Sequence, residues 1–229
     1  MCIVCDLFSF VINLIFFRIA NFQIPQLKRK VTVNFPTKDK GGVGITGCDI
    51  LPDGKLVFTD QEGKQLLMFS NNGNYENDIV RFSGEPFEVS YTGEKIVAVT
   101  IYDKRQIVFV NVITNTITNT VYIGYKCYGT DFNMNRLAIR VIQQPTSSHI
   151  VYLDPKGKLI DHVNIHSMNS RNISFRDGTI KCTDWSTNTI YCYTLTGQEI
   201  WAFKDENVYE NQWELPLINI GTFMWLVRE

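Results

Sequence analysis

"ILPDGKLVFTD", residues 50–60, sets an apolar pair before a Pro-Asp-Gly turn and follows it with a strand-forming run that ends in Thr-Asp. "SFRDGTIKCTD", residues 174–184, has the same grammar: Asp-Gly, a short strand-forming run, Thr-Asp. Asp53 and Asp177 stand 124 residues apart, and so do Asp60 and Asp184. A hairpin written twice with the same internal spacing marks a repeat, and the spacing is three periods of about 41 residues, within the range of known repeat architectures.

At that period the chain divides into four units, residues 45–80, 86–123, 127–165 and 172–203. Each reads as four short strands. The first closes on a tight turn at Asp53-Gly54, Thr92-Gly93, Met134-Asn135 or Asp177-Gly178, where Gly or Asn supplies the positive φ that a hairpin needs. The second strands are "KLVFTD", "KIVAVT", "RLAIRV" and "TIKCTD", and the third are "QLLMFS", "QIVFVN", "HIVYLD" and "TIYCYT". Then come "NNG", "ITN", "PKG" and "LTG" and a more polar fourth strand. No stretch carries a helical apolar stripe.

Four-stranded units at this period are the signature of a β-propeller. One blade cannot bury both faces of its sheet, and stacking blades around an axis buries them. The predicted fold is therefore all-β, a propeller of four-stranded antiparallel blades. An immunoglobulin-like sandwich would lack the internal register. The Gly-His and Trp-Asp marks of WD40 blades are missing, and "DW" at Asp184-Trp185 has the wrong order and place. Asp60 and Asp184 end second strands, where a carboxylate accepts backbone N–H bonds from the next turn.

The chain has 229 residues, 45% of them hydrophobic, which is enough apolar material for a core. With 22 basic and 23 acidic side chains the net charge is -1, so overall charge argues for neither nucleic acid nor an acidic substrate. Six cysteines are too sparse for a disulfide scaffold. Cys2-x-x-Cys5 has zinc-ligand spacing but no second pair follows. Cys182 and Cys192 fall on neighbouring predicted strands and read as reduced core thiols.

Three regions follow: an apolar N-terminal segment and basic linker (1–40), the blades (41–208) and an atypical tail (209–229). The apolar run Leu7 to Phe17 is short for a membrane span, and extending it to Ile24 takes in Asn13, Arg18 and Asn21. A cytoplasmic protein is expected. The alternative is a membrane anchor at residues 7–24, with "KRK" at 28–30 holding the propeller on the cytoplasmic side. A signal peptide would want positive charge where Asp6 stands. Leu7–Phe17 is expected to be helical or loosely attached and the last dozen residues poorly packed.

"ITGCDILPDGKLVFTD", "LLMFSNNGNY", "GEPFEVSYTGEKIVAVT" and "IYCYTLTGQEIWAFKDENV" resemble the C-terminal NHL-type propellers of tripartite-motif (TRIM) and B-box proteins, especially the expanded invertebrate ones. The resemblance covers about residues 45–208. It implies a six-bladed, TolB-like ring, here incomplete at four blades, that recognises protein or RNA. The RING ligands, B-boxes and coiled coil of that family are absent from this sequence, so ubiquitin-ligase activity does not carry over.

The chemistry is sparse. There is no G-x-S-x-G and no P-loop. Ser147-Ser148-His149 sits in a loop running into a strand, and His162 with His166 flanks a strand end, where i, i+4 spacing gathers no ligands. Asp49, Glu88 and Asp131 recur near three first strands and could line the axis, as in calcium-dependent propeller hydrolases, though hydrogen bonding in the channel is the preferred reading. No cofactor and no metal site is expected. Lys64, Tyr102, Lys104, Arg105 and Trp185, in second-to-third-strand loops, are the candidate partner-binding residues. RNA would use their cations and stacking rings. Glu62, Asp103 and Asp184 share the loops, and that mixture suits a protein partner better. The competing reading of Trp185 is packing over the neighbouring blade.

Overall fold

The computed structural model describes residues 9–16, 26–35, 43–143, 147–166, 170–184, 186–187, 189–204 and 223–228. Two strands come first, β1 (Ser9–Phe16) and β2 (Gln26–Asn34). Blade one is β3 (Ile45–Ile50), β4 (Leu56–Asp60), β5 (Gln65–Phe69) and β6 (Tyr75–Arg81). Blade two is β7 (Pro86–Gly93), β8 (Ile96–Ile101), β9 (Gln106–Asn111) and β10 (Thr116–Tyr122). Blade three is β11 (Lys126–Asn133), β12 (Arg136–Gln143), β13 (Ser147–Leu153) and β14 (Leu159–Ile165). Blade four is β15 (Ser170–Arg176), β16 (Thr179–Asp184), β17 (Thr189–Thr194) and β18 (Glu199–Lys204), and β19 (Phe223–Arg228) ends the chain.

Each blade is a four-stranded antiparallel meander in chain order, as the repeat predicts. Three of the four turns are where the sequence places them, with Gly54 (φ 86°), Met134 (φ 49°), Asn135 (φ 58°), Asp177 (φ 53°) and Gly178 (φ 67°) in the left-handed conformation between first and second strands. In blade two the expected Thr92-Gly93 lies within β7, and the turn falls at Glu94 (φ 48°) and Lys95 (φ 66°). Second and third strands are almost wholly buried and the outer strands largely exposed.

The core is a series of layers between neighbouring sheets. Val57, Leu66 and Met68 of blade one meet Val97, Val99, Val108 and Val110 of blade two. Ala98, Ile107 and Phe109 meet Leu137, Ile139, Val151 and Leu153 of blade three. Ala138, Ile150 and Tyr152 meet Phe175, Ile180, Cys182 and Tyr193 of blade four. One strand face serves each interface, so the period-two pattern of every strand is used on both sides. Cys182 is paired with Tyr191, and Cys192 with Lys181, which sets the two thiols on opposite faces of their sheet. Both are free.

The ends correct one expectation. Residues 9–16 form a strand, not a helix, and β1 pairs on one side with β2 and on the other with the last strand, β19. "SFVINLIF" is rich in branched and aromatic residues, which suits a strand with two neighbours. Val31 and Val33 of β2 and the following Phe35 pack onto Leu56, Phe58, Leu67 and Phe69 of blade one. Among the described residues no helix is long and apolar enough to cross a membrane.

Candidate functional site

The inner strands meet around the axis, and their side chains form tiers. Register identifies one such tier. Asp49 pairs with Val57, Ser90 with Ala98, Asp131 with Ala138 and Ser174 with Lys181, so these four residues are equivalent. Asp49 Oδ2 accepts the Tyr91 N–H at 2.6 Å and Asp131 Oδ2 accepts the Phe175 N–H at 2.8 Å. Ser90 Oγ donates to the Thr130 carbonyl at 2.8 Å. Each is a clamp from one inner strand to the next. The remaining carboxylate oxygens accept their own following N–H groups, Ile50 at 2.7 Å and Phe132 at 2.8 Å, and Arg176 closes on Asp131 at 3.1 Å.

Glu88 belongs to another tier, with Gly47, Gly129 and Asn172. Its carboxylate lies against the Gly47 backbone, where any side chain would collide with it. Burial is the main force on all three acids. It raises Asp131 to about 7 against the opposing pull of Arg176, raises Asp49, and raises Glu88 well above the usual carboxylate range, with Asp49 and Asp131 adding to the Glu88 shift. The apparent recurrence of Asp49, Glu88 and Asp131 thus dissolves into two different positions. Among the described residues no group of three His, Cys, Asp or Glu side chains is placed to hold a metal ion.

The loop end of the propeller has another character. The second-to-third-strand turns and the connections between blades share this end, tied by Phe82 N–H to Lys64 O (2.7 Å) and Ile123 N–H to Arg105 O (2.9 Å). Lys64, Lys104 and Arg105 are exposed there, with Lys64 (φ 50°) and Arg105 (φ 58°) in the left-handed turn. Lys104 reaches Asp103 at 3.8 Å, and Asp103 accepts the Glu85 N–H at 2.6 Å. Trp185 lies outside the described residues.

Among the described candidates, Tyr102 is built into a cluster. Lys126 Nζ donates to its hydroxyl at 2.6 Å and sits 4.6 Å from its ring centroid. Tyr102 meets Tyr128 edge-on at 5.2 Å, Tyr128 meets Phe87 at 5.4 Å, and the Arg171 guanidinium lies 6.0 Å from the Tyr128 ring. The hydrogen bond from Lys126 holds the Tyr102 phenol below its usual range, whereas burial pushes Tyr128 to about 12. The sequence does not single out Phe87, Lys126, Tyr128 and Arg171, because they lie in or beside blade-to-blade connections, which carry no turn signature of the kind that marks the hairpin loops.

The other polar groups have structural employment. Asp60 accepts Gly44 N–H (3.1 Å), Gly63 N–H (3.0 Å) and Gln65 Nε2 (2.8 Å), and Asp184 accepts Ser186 N–H (3.0 Å), as expected of strand-end carboxylates. Ser147–Leu153 is a strand rather than a loop. Ser148 is buried and bonded to the Ile165 carbonyl, and His149 packs against the Tyr125 ring at 5.2 Å. His162 and His166 are exposed.

No protein-family model and no curated protein matches the chain. Solved structures do. Virginiamycin B lyase from Staphylococcus aureus is similar with a TM-score of 0.58 at 15% identity, over 72% of this chain and 57% of that one. Kuenenia stuttgartiensis hydrazine synthase gives 0.60 at 13% identity, over 72% and 51%. A chain of the nidogen/laminin complex gives 0.57 at 10% identity, over 96% and 97%. The chain spans little more than half the length of the lyase and synthase chains. These likenesses establish a β-propeller and nothing finer.

Proposed function

We propose that this propeller is a recognition module that binds a protein partner through its loop end and performs no catalysis itself. The Tyr102–Lys126–Tyr128–Arg171 cluster carries the reading. Large rings with satisfied polar tips, flanked by cations, are the residue types that anchor protein interfaces. Lys64, Lys104 and Arg105 stand in turns at the same end, in stretches that also carry Glu62, Glu85 and Asp103. Such a mixed-sign rim favours a protein over a polyanion, because clustered phosphates would meet these acids as well. One similar propeller comes from a protein–protein complex, that of nidogen with laminin. The resemblance to NHL propellers of TRIM-type proteins points the same way and implies selection of a target.

The test is capture of a nuclease-resistant partner from lysate by the full chain, compared with Tyr102→Ala/Arg171→Ala. The expected result is partner loss on the double substitution, with the melting temperature within a few degrees of the parent. Equal capture by both proteins would remove this end from the interface. Binding that nuclease treatment abolishes and that falls steeply with salt would establish RNA recognition instead.

A further inference from the structure

Each inner strand carries one extra residue near its start, where the ladder slips between Ile45 and Gly47, Pro86 and Val89, Cys127 and Thr130, and Ser170 and Ile173. Phe87 of β7 and Tyr128 of β11 lie in these bulges at equivalent places, three residues before Ser90 and Asp131. Their rings meet edge-on at 5.4 Å, so an aromatic floor crosses from blade two to blade three. Tyr102, in the turn after β8, meets Tyr128 at 5.2 Å. Lys126, the first residue of β11, reaches back across the Tyr102 ring to its hydroxyl.

The polar tips of Lys126 and Tyr102 offer donors without acceptors. Lys126 is half-buried and spends one of its three N–H groups on the Tyr102 oxygen at 2.6 Å. That oxygen is the acceptor, so the phenol keeps its own O–H to donate elsewhere. Among the described residues neither tip has a further hydrogen bond, and Lys126 has no carboxylate partner. Two acids near the cluster in sequence are taken. Glu85 Oε2 accepts from Gln61 Nε2 at 3.1 Å, and Asp103 accepts the Glu85 N–H and pairs with Lys104. The ring beneath Lys126 offsets part of the cost of drawing an ammonium out of water, and a counter-ion would offset the rest.

We propose that Lys126 and Tyr102 bind one carboxylate of the protein partner, from an acidic side chain or a chain terminus, beside the Phe87–Tyr128 floor; this rests on the protein-partner reading above and adds the chemistry of one anchor. A carboxylate brings a single charge and two acceptor oxygens, one for the ammonium and one for the phenol. A phosphate brings about two charges near neutral pH, more than one ammonium balances in the company of Glu85 and Asp103. An amide has the shape without the charge.

Random-peptide display on the full chain tests the site, with the library made in two forms, free and amidated at the C-terminus. The parent should enrich Asp or Glu at one fixed place in both forms if a side chain is the ligand, or free-ended peptides over amidated ones if a terminus is. In the best peptide, replacing that carboxylate by its amide should weaken binding to the parent about tenfold or more. Against Lys126→Met the same replacement should change little. Tyr102→Phe keeps the ring, removes one donor, and should give an intermediate loss; it also guards against misfolding of Lys126→Met, which melting temperature checks. Selected peptides without a carboxylate preference, or a preference that both substitutions leave intact, would overturn the site while leaving the protein-partner reading standing. So would tighter binding when phosphoserine replaces the acidic residue, which would assign the donors to phosphate. A parent that enriches no peptide would also overturn the site, and capture from lysate would still judge the partner reading by itself.

Discussion

Asp131 carries more of the axis than its single ion pair suggests. It holds the Phe175 N–H of the next blade while almost wholly removed from water, and burial raises its pKa to about 7. A carboxyl raised in the folded state binds its proton more tightly there than in the unfolded chain. Its contribution to stability is complete below the ordinary carboxylate range and is lost as pH rises towards 7. Asp49 and Glu88 are raised as well and add in the same direction. Melting temperature should therefore fall from pH 5 to pH 8, and Asp131→Asn, whose amide oxygen can still accept from Phe175, should flatten the slope without abolishing it, since Asp49 and Glu88 remain. A slope unchanged by the substitution would show that Asp131 does not titrate in this window. Glycines next to these acids answer to a different constraint. A Cβ on Gly47 would stand 2.7 Å from Glu88 Cα and 2.8 Å from the Phe87 carbonyl, whereas one on Gly93 would meet nothing within 4 Å. Gly47→Ala should cost about 1–3 kcal/mol through the clash between blades. Gly93→Ala should cost about 1 kcal/mol, from its φ of 101° alone. Denaturant titration of both separates crowding from backbone strain.

The blades were legible because their strands and turns follow local rules. Asp53-Gly54 and Asp177-Gly178 announce hairpins by their own chemistry, and "KLVFTD" or "QIVFVN" announces a buried strand by its own composition. The axial tiers were not legible, for two reasons. Asp and Ser clamp one inner strand to the next at Asp49, Ser90 and Asp131, so residue identity hides the equivalence. In addition, every inner strand carries a register shift near its start, between Ile45 and Gly47, Pro86 and Val89, Cys127 and Thr130, and Ser170 and Ile173, which defeats simple counting. Arg140 belongs with these hidden residues. It lies on β12 where β4, β8 and β16 have Thr59, Thr100 and Thr183, and it is fully buried between blades three and four. Its Nη1 donates to the Val141 carbonyl at 3.0 Å, and burial lowers its pKa while the charge of Asp184 supports the cation. Arg140→Ala should cost about 3–5 kcal/mol, the size expected when one member of a buried charge arrangement is removed. A loss below 1 kcal/mol in denaturant would mean that water replaces the guanidinium.

The first and last described strands share a sheet that a reading of four repeats missed. β19 and β1 are more than 200 residues apart in sequence yet share a ladder from Phe10↔Arg228 to Ile15↔Phe223. β2 continues that sheet and lays Val31, Val33 and Phe35 on blade one. Phe35 meets Phe58 at 5.2 Å and Phe69 at 5.0 Å, and those two rings meet each other at 5.2 Å, all edge-on. The layer is therefore built like the layers between blades, with aromatic rings in place of the valines between blades one and two. Without residues 1–40, Phe58 and Phe69 lose their outer partner, and each fully exposed ring of this size forfeits about 2–3 kcal/mol of burial. A fragment of residues 41–208 should consequently bind a hydrophobic dye strongly and aggregate on concentration. Phe35→Ala in the full chain should reproduce part of the defect, costing about 3–5 kcal/mol. Phe35→Leu should cost less, because it keeps the face dry. If the fragment proves monomeric and dye-silent and melts cooperatively, the four blades are self-sufficient and the terminal sheet is ornament.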